Sequence, residues 1–304
     1  MSPEFATTNG SVINHAPHLA TSGILFNRIL MATDFSQPAD QALKTAIVIC
    51  RLFGSELFLV HAATRDAYVP MESLDANLDA AREEMNEIIS NEPGLSALQP
   101  KTTVAYAGAL ELIERVASEE KVDLIVVGSH GASGLERLAL GSVAEATLYQ
   151  SKCPVLIVGP NCSADYHPFR SIVFATDLNT TGLRGAQYAG GLAERFRADL
   201  TFLHVMSHKA AARIVEIEVI QDRIKQQLQE LFPPDVERYC KAKVRLEEGK
   251  AAEAIAAVAA SECASLIVVG LRDHVLSDRV PWSTLSHVIR EVKCPVLGVR
   301  GSLT

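Results

Sequence analysis

Two parts of this chain combine residue types and spacings that suit the recognition of a phosphorylated ligand. One reads Gly128-Ser129-His130-Gly131, then nine residues, then Gly141-Ser142-Val143. Glycine lets main chain approach a ligand closely or take a positive φ. Gly141-Ser142-Val143 opens a predicted helix, where unpaired N–H groups and the helix dipole attract phosphate, and Ser142 adds a hydroxyl. One helix end supplies only about 0.3–1 kcal/mol through its dipole. Several N–H contacts and a metal ion must therefore share the charge of a polyphosphate. The other part is a set of three strand ends: Asp34 after the first predicted strand, His61-Ala62 ending the second, and Gly128 ending the fourth. In open parallel sheets, ligands bind beyond the carboxyl ends of strands, where the strand order reverses.

Each signal also has a plainer structural reading. The glycines suit tight loop packing, and Asp34-Phe35-Ser36 suits a helix cap ahead of a helix over 39–53. His61 and His204, at matching strand ends, read as packed histidines. His130 faces either phosphate or solvent. Arg137 and Arg279 match as structural ion-pair formers more than as phosphate clamps. The charged stretches 82–84 and 119–121 read as solvated helix faces or ends.

These residues must be positioned by elements, and the chain writes its elements twice. Arg28-Ile29-Leu30-Met31-Ala32-Thr33-Asp34-Phe35 returns as Ser171-Ile172-Val173-Phe174-Ala175-Thr176-Asp177-Leu178, 143 residues on. Val122 to Gly128 returns as Ala264 to Gly270, and Lys152-Cys153-Pro154-Val155-Leu156 as Lys293-Cys294-Pro295-Val296-Leu297, at offsets of 142 and 141. Three blocks in one order at nearly one offset indicate a duplication. In the first copy, strands at 28–33, 56–62, 102–106, 123–128 and 154–158 alternate with helices at 39–53, 74–90, 109–120 and 142–151. The strands are continuous apolar runs, as expected when helices cover both faces. Ala42, Leu43, Ala46, Ile47 and Cys50 show helical spacing, as do Ala186, Ala189, Leu192, Ala193 and Phe196. The expected fold class is α/β: two tandem doubly wound parallel-sheet domains with pseudo-two-fold symmetry. The expected boundaries are a disordered arm or cloning remnant over 1–24, a first domain over 25–160 and a second over 168–302. Residues 159–168 form the linker.

Composition narrows the function classes. The 304 residues are 48% apolar and 21% charged, enough to fill cores. A net charge of −8 argues against nucleic acid as a general partner and against a polybasic membrane anchor. No apolar run approaches the roughly 18 residues that cross a bilayer. The first 23 residues do not read as a secretory signal. Six cysteines without metal-ligand spacing read as reduced thiols of a cytoplasmic protein.

The Gly128-x2-Gly131-x9-Gly141-Ser142 pattern, the strand-end Ala32-Thr33-Asp34 and the Lys152-Cys153-Pro154-Val155 strand together resemble the universal stress protein family, in its nucleotide-binding branch. The resemblance covers both repeats, roughly residues 25–300. It implies that Asp34 meets an adenine, with Ala32 and the main chain of Ala62 lining base and sugar. It further implies Gly128 and Gly131 at the ribose and first phosphate, and Gly141, Ser142 and Val143 at the outer phosphates. Mg²⁺ or Mn²⁺ bridging those phosphates is implied as well, since no GxxxxGK[ST] motif occurs. Family members pair through their last strands, so 155–158 and 296–299 are expected to meet within this one chain. A homodimer of the tandem chain is left open.

The second copy departs from this pattern. Asp273 stands where the first copy has Gly131, and Ser283-Thr284 is read in place of Gly141-Ser142, beside Pro281-Trp282. A carboxylate repels phosphate in a dry crevice, so the second copy is expected to hold no triphosphate. The leading expectation is a cytoplasmic ATP-binding stress-response regulator with no catalytic residues. The rivals are a slow ATPase or nucleotide-dependent enzyme, and a chaperone-like carrier that holds an apolar ligand against the helix at 212–231. That helix, with Val219 and Ile220 among its apolar residues, is otherwise expected to lie in the core.

Overall fold

In the computed structural model, the described residues are 23–63, 71–130, 140–162, 168–178, 182–206, 214–233, 235–271 and 282–301. Most of the arm expected over 1–24 therefore lies outside them, as do Gly131, Arg137, Asp273, Arg279 and Pro281. The first half runs β1 (Arg28–Ala32), α1 (Gln37–Phe53), β2 (Glu56–Ala63), α2 (Met71–Asn91), α3 (Leu95–Leu98), β3 (Lys101–Tyr106) and α4 (Ala109–Glu119). It ends with β4 (Leu124–Gly128), α5 (Ser142–Gln150) and β5 (Val155–Val158). The second half runs β6 (Ser171–Ala175), α6 (Gly182–Phe196), β7 (Asp199–Met206), α7 (Ile214–Glu230), β8 (Ala242–Glu248) and α8 (Ala251–Ser261). β9 (Leu266–Leu271), α9 (Trp282–Glu291) and β10 (Val296–Arg300) complete it.

Local signals set these boundaries. Ser36 caps α1 through its side chain, Pro38 sits in the first turn, and Gly54 ends the helix at φ 71°, its N–H donating to Cys50 O. The strands are buried on both faces: four of the five residues of β4 and all four of β5 are buried.

The ten strands form one sheet in the order β3-β2-β1-β4-β5-β10-β9-β6-β7-β8. Each half is parallel in a 3-2-1-4-5 order, which reverses between its first and fourth strands. The halves meet where β5 and β10 pair antiparallel, Leu156 opposite Leu297. That pair closes two edges that would otherwise be exposed to other chains. Side chains alternate between two cores that both run through the two halves. Ile29 and Met31 join α1 and α6 residues on one face, while Leu30 joins α4, α5, α8 and α9 residues on the other.

One expectation holds only in part. The helix expected in the core over 212–231 buries Leu228, but Val219 is 70% and Ile220 42% exposed. Ile224 and Leu231 pack beside Leu228 against the core, so one stripe of α7 is covered while Val219 and Ile220 face solvent. The six cysteines are free thiols. Cys263 is exposed because it follows the last turn of α8, at φ 47°. No helix among the described residues is long and apolar enough to cross a membrane.

Candidate functional site

The strand reversal between β1 and β4 opens a cavity of about 520 Å³. It lies within the roughly 300–1,000 Å³ typical of small-molecule sites. Ala32, Asp34, Ala62, Gly128, Gly141, Ser142 and Val143 all line it. Of the eight residues singled out in the sequence, only Gly131 lies outside the described residues.

At the β1 end, the chain leaves the sheet through a tightly held turn. Thr33 N donates to Val60 O at 2.9 Å, and Phe35 N to Thr33 Oγ1 at 3.0 Å. Phe35 takes φ 62°, a conformation that costs a non-glycine residue on the order of 1–3 kcal/mol. Asp34 Oδ1 accepts from Ser36 N at 3.2 Å and from Ser36 Oγ at 2.5 Å. The cap of α1 is Ser36, whose Oγ accepts from Ala39 N. Asp34 therefore orients the capping residue and is not itself the cap. Its carboxylate remains part of the cavity wall.

Gly128 ends β4 without a positive φ. A Cβ there would lie 2.9 Å from the main-chain oxygen of Pro38, so the glycine admits the first turn of α1. Tight packing thus accounts for the lack of a side chain here, and the same residue lines the cavity. Beyond it, Ser129 is completely buried, accepts from Gly141 N at 2.8 Å through its main-chain oxygen, and holds His130 Nδ1 at 2.9 Å through Oγ. His130 also lines the cavity, and its Nε2 is buried with no partner among the described residues.

The opposite wall is the start of α5. Gly141 takes the cap position at φ −61°, ψ 144° and has no side chain with which to cap the helix. Glu145 N donates to Gly141 O, and the N–H groups of Ser142, Val143 and Ala144 are the first-turn donors for which the helix itself offers no acceptor. The start of α4 also reaches the cavity through Ala109, behind another glycine cap, Gly108. In a parallel sheet every following helix begins at the carboxyl edge, so several positive helix ends converge on one crevice.

Leu112 and Ile113, on the inner face of α4, line the cavity and were not singled out in the sequence. The signal for them is topological. A chain passing from edge strand β3 to β4 must cross β2 and β1, so α4 lies over the switch point.

The second half differs at corresponding places. Leu285, Val288 and Ile289 occupy the buried positions of Ala144, Thr147 and Leu148, each 141 residues on. Trp282 therefore stands in the place of Gly141, and Ser283 in that of Ser142, one residue away from the correspondence read in the sequence. The loop before α9 is one residue shorter, and its length decides the register. Lys250 caps α8 where Gly108 caps α4. Val205, the counterpart of Ala62, pairs with Glu247, whereas Ala62 pairs with Ala105.

Fold and crevice together define a doubly wound α/β protein with a cavity at the switch point of its first half. The chain belongs to the universal stress protein family, whose model matches residues 25–159 and 168–300. Universal stress protein YxiE of Bacillus subtilis is 33% identical over 147 residues, covering 99% of that protein and 44% of this chain. Universal stress protein MJ0531 of Methanocaldococcus jannaschii is 32% identical over 146 residues, covering 82% of that protein and 44% of this chain. A solved universal stress protein from Archaeoglobus fulgidus shares the fold across both halves. Its TM-score is 0.65 at 21% identity, covering 92% of this chain and all of that one. The molecule is thus a tandem two-domain universal stress protein, and family membership supports a role in stress response.

Proposed function

We propose that the first half binds ATP and that the protein acts in the cytoplasm as a nucleotide-dependent regulator of a stress response. In this reading Asp34 meets the adenine, and Ala32 and the main chain of Ala62 line the base and sugar. Gly128 and Gly131 lie at the ribose and first phosphate, and Gly141, Ser142 and Val143 at the outer phosphates. The observation that carries the reading is the shared cavity. A carboxylate at one wall and three first-turn N–H groups of α5 at the other face a single space of about 520 Å³. The base edge thus meets a hydrogen-bond acceptor while phosphate meets donors.

Among the described residues, no three His, Cys, Asp or Glu side chains group to hold a metal ion. Mg²⁺ or Mn²⁺ would be held through the phosphate oxygens of the nucleotide, while the Ser142 hydroxyl would donate to an outer phosphate. When bound, the ion would neutralise phosphate charge. The nucleotide acts by linkage, favouring the conformation that holds it. In the second half, Asp273 in place of Gly131 and the loss of the glycine that precedes α5 oppose a triphosphate.

The test is calorimetric titration of ATP into the wild type and Gly141→Ser. A serine at the cap position accepts the N–H of the second or third residue of α5, taking a donor from phosphate while stabilising the helix. The expected result is one ATP per chain for the wild type. The variant should bind at least about tenfold more weakly without a loss of thermal stability. No binding by the wild type, or equal affinity in the variant, overturns the assignment.

A further inference from the structure

His61 touches both ends of the tripeptide that presents Asp34. Before Asp34, His61 Nδ1 lies 2.9 Å from the main-chain oxygen of Thr33. A carbonyl oxygen only accepts, so Nδ1 donates, and the tautomer of the neutral ring is fixed with its lone pair on Nε2. After Asp34, the Phe35 ring stacks on the imidazole with centroids 4.1 Å apart and planes 19° apart. Phe35 is the left-handed residue of the turn, and its N–H is held by Thr33 Oγ1. The imidazole therefore pins the residue on each side of Asp34. Ser36, one residue further, holds the Asp34 carboxylate through Oδ1.

The second half separates two parts of this arrangement. His204 Nδ1 lies 2.9 Å from Thr176 O, and Leu178 takes φ 62° with its N–H on Thr176 Oγ1. The hydrogen-bonded turn is thus common to both halves. A leucine replaces Phe35, so the ring stack belongs to the half with the cavity described above.

We infer that His61 is a positioning residue for base recognition: it fixes the direction of Asp34 and so sets how sharply the crevice separates adenine from guanine nucleotides. The inference rests on the proposed ATP site. It assigns His61 no contact with the base and no chemical step. A side chain without a donor at this place lets the Thr33 carbonyl and the Phe35 turn relax, and Asp34 turns with them. Asparagine, whose amide nitrogen can replace Nδ1, keeps the hydrogen bond while losing the stack.

The experiment titrates ATP and GTP separately into the wild type, His61→Leu, His61→Asn and Phe35→Leu, with thermal melts of each protein. The wild type is expected to prefer ATP. His61→Leu should lower the ratio of ATP to GTP affinity about tenfold, the worth of one hydrogen bond. His61→Asn should recover most of that ratio, and Phe35→Leu should lower it about threefold by removing only the stack. A ratio in His61→Leu within about twofold of the wild type overturns the inference while leaving the ATP site standing. Should His61→Leu fail to fold, Phe35→Leu decides, and an unchanged ratio there overturns it. A wild type that binds no ATP removes the underlying site and the inference together.

Discussion

Leu156 and Leu297 face each other across the antiparallel junction of β5 and β10, and each is also the other's counterpart in the duplicated sequence. A residue pair that is its own image marks a two-fold axis. Here α1 and α6 share one face of the sheet, so the axis runs perpendicular to the sheet through this pair. Because β5 and β10 run in opposite directions, the carboxyl edges of the two halves point to opposite ends of the sheet. The switch points of the two halves therefore lie toward opposite ends of the sheet.

The symmetry breaks one residue from the axis. Gly298 stands where the first half has Ile157. A Cβ at Gly298 would collide with Leu148 and lie 2.9 Å from Leu271 Cδ1. Gly298→Ala is expected to lower stability by about 1–3 kcal/mol through overpacking. Adding Leu148→Ala should cost less in that background than in the wild type, since the colliding atoms are gone. Urea denaturation of the four proteins in this double-mutant cycle measures the difference, and strictly additive effects would contradict the contact.

Gly159 presents a harder obstacle. A Cβ there would run into the main-chain oxygen of Ile289, at the end of α9. Backbone yields less readily than a leucine tip. Gly159→Ala should therefore cost at least the upper part of the same range of about 1–3 kcal/mol. Equal urea midpoints for Gly159→Ala and the wild type would count against the close approach of β5 and α9.

Ser36 serves both the helix and the crevice. Its Oγ accepts from Ala39 N and donates to Asp34 Oδ1. Ser36→Ala is expected to cost about 1 kcal/mol of stability, with Ser36→Thr recovering most of it. Thermal melts without ligand read the cap alone. ATP titration reads the added freedom of Asp34.

The cysteines predict a pH dependence. Burial pushes the thiols of Cys50 and Cys162 up to about 12, from an ordinary value of 9.0. Cys294 is likewise pushed up to about 12, by burial first and by Cys162 second. Above pH 9 the unfolded chain releases these protons and the folded protein keeps them, so stability falls as pH rises toward 12. Each thiol contributes at most about 1.4 kcal/mol per pH unit. Cys50→Ala should show a shallower loss of denaturation midpoint between pH 9 and 11 than the wild type. At pH 8 a thiol reagent should modify exposed Cys263 first.

The legible part of the molecule lay in local signals. The repeated blocks announced two copies, and the apolar runs announced strands covered on both sides. Asp34-Phe35-Ser36 announced the start of α1, where Ser36 proved to be the cap. The glycine spacing directed attention to residues that line one cavity, because motif residues on successive strand ends of a parallel sheet are brought to a common edge. The sequence was less informative about why each glycine is needed. Gly128 accommodates Pro38, a residue 90 positions earlier, and only packing brings the two together. The correspondence of α9 with α5 was likewise misread by one residue, since a shortened loop changes spacing without changing residue type.

By itself, then, the sequence determined the duplication, the alternation of strands and helices, and the residues suited to hold phosphate, because these depend on chemistry and on spacing along the chain. The tertiary structure decided what depends on distant segments meeting. It placed Leu112 and Ile113 over the switch point, set His61 against Thr33 and Phe35, and left Val219 and Ile220 of α7 in solvent. It also fused two five-stranded sheets into one at Leu156 and Leu297. Hydrophobicity selects which residues seek burial, but which partners cover them is fixed only when strand order and register are complete.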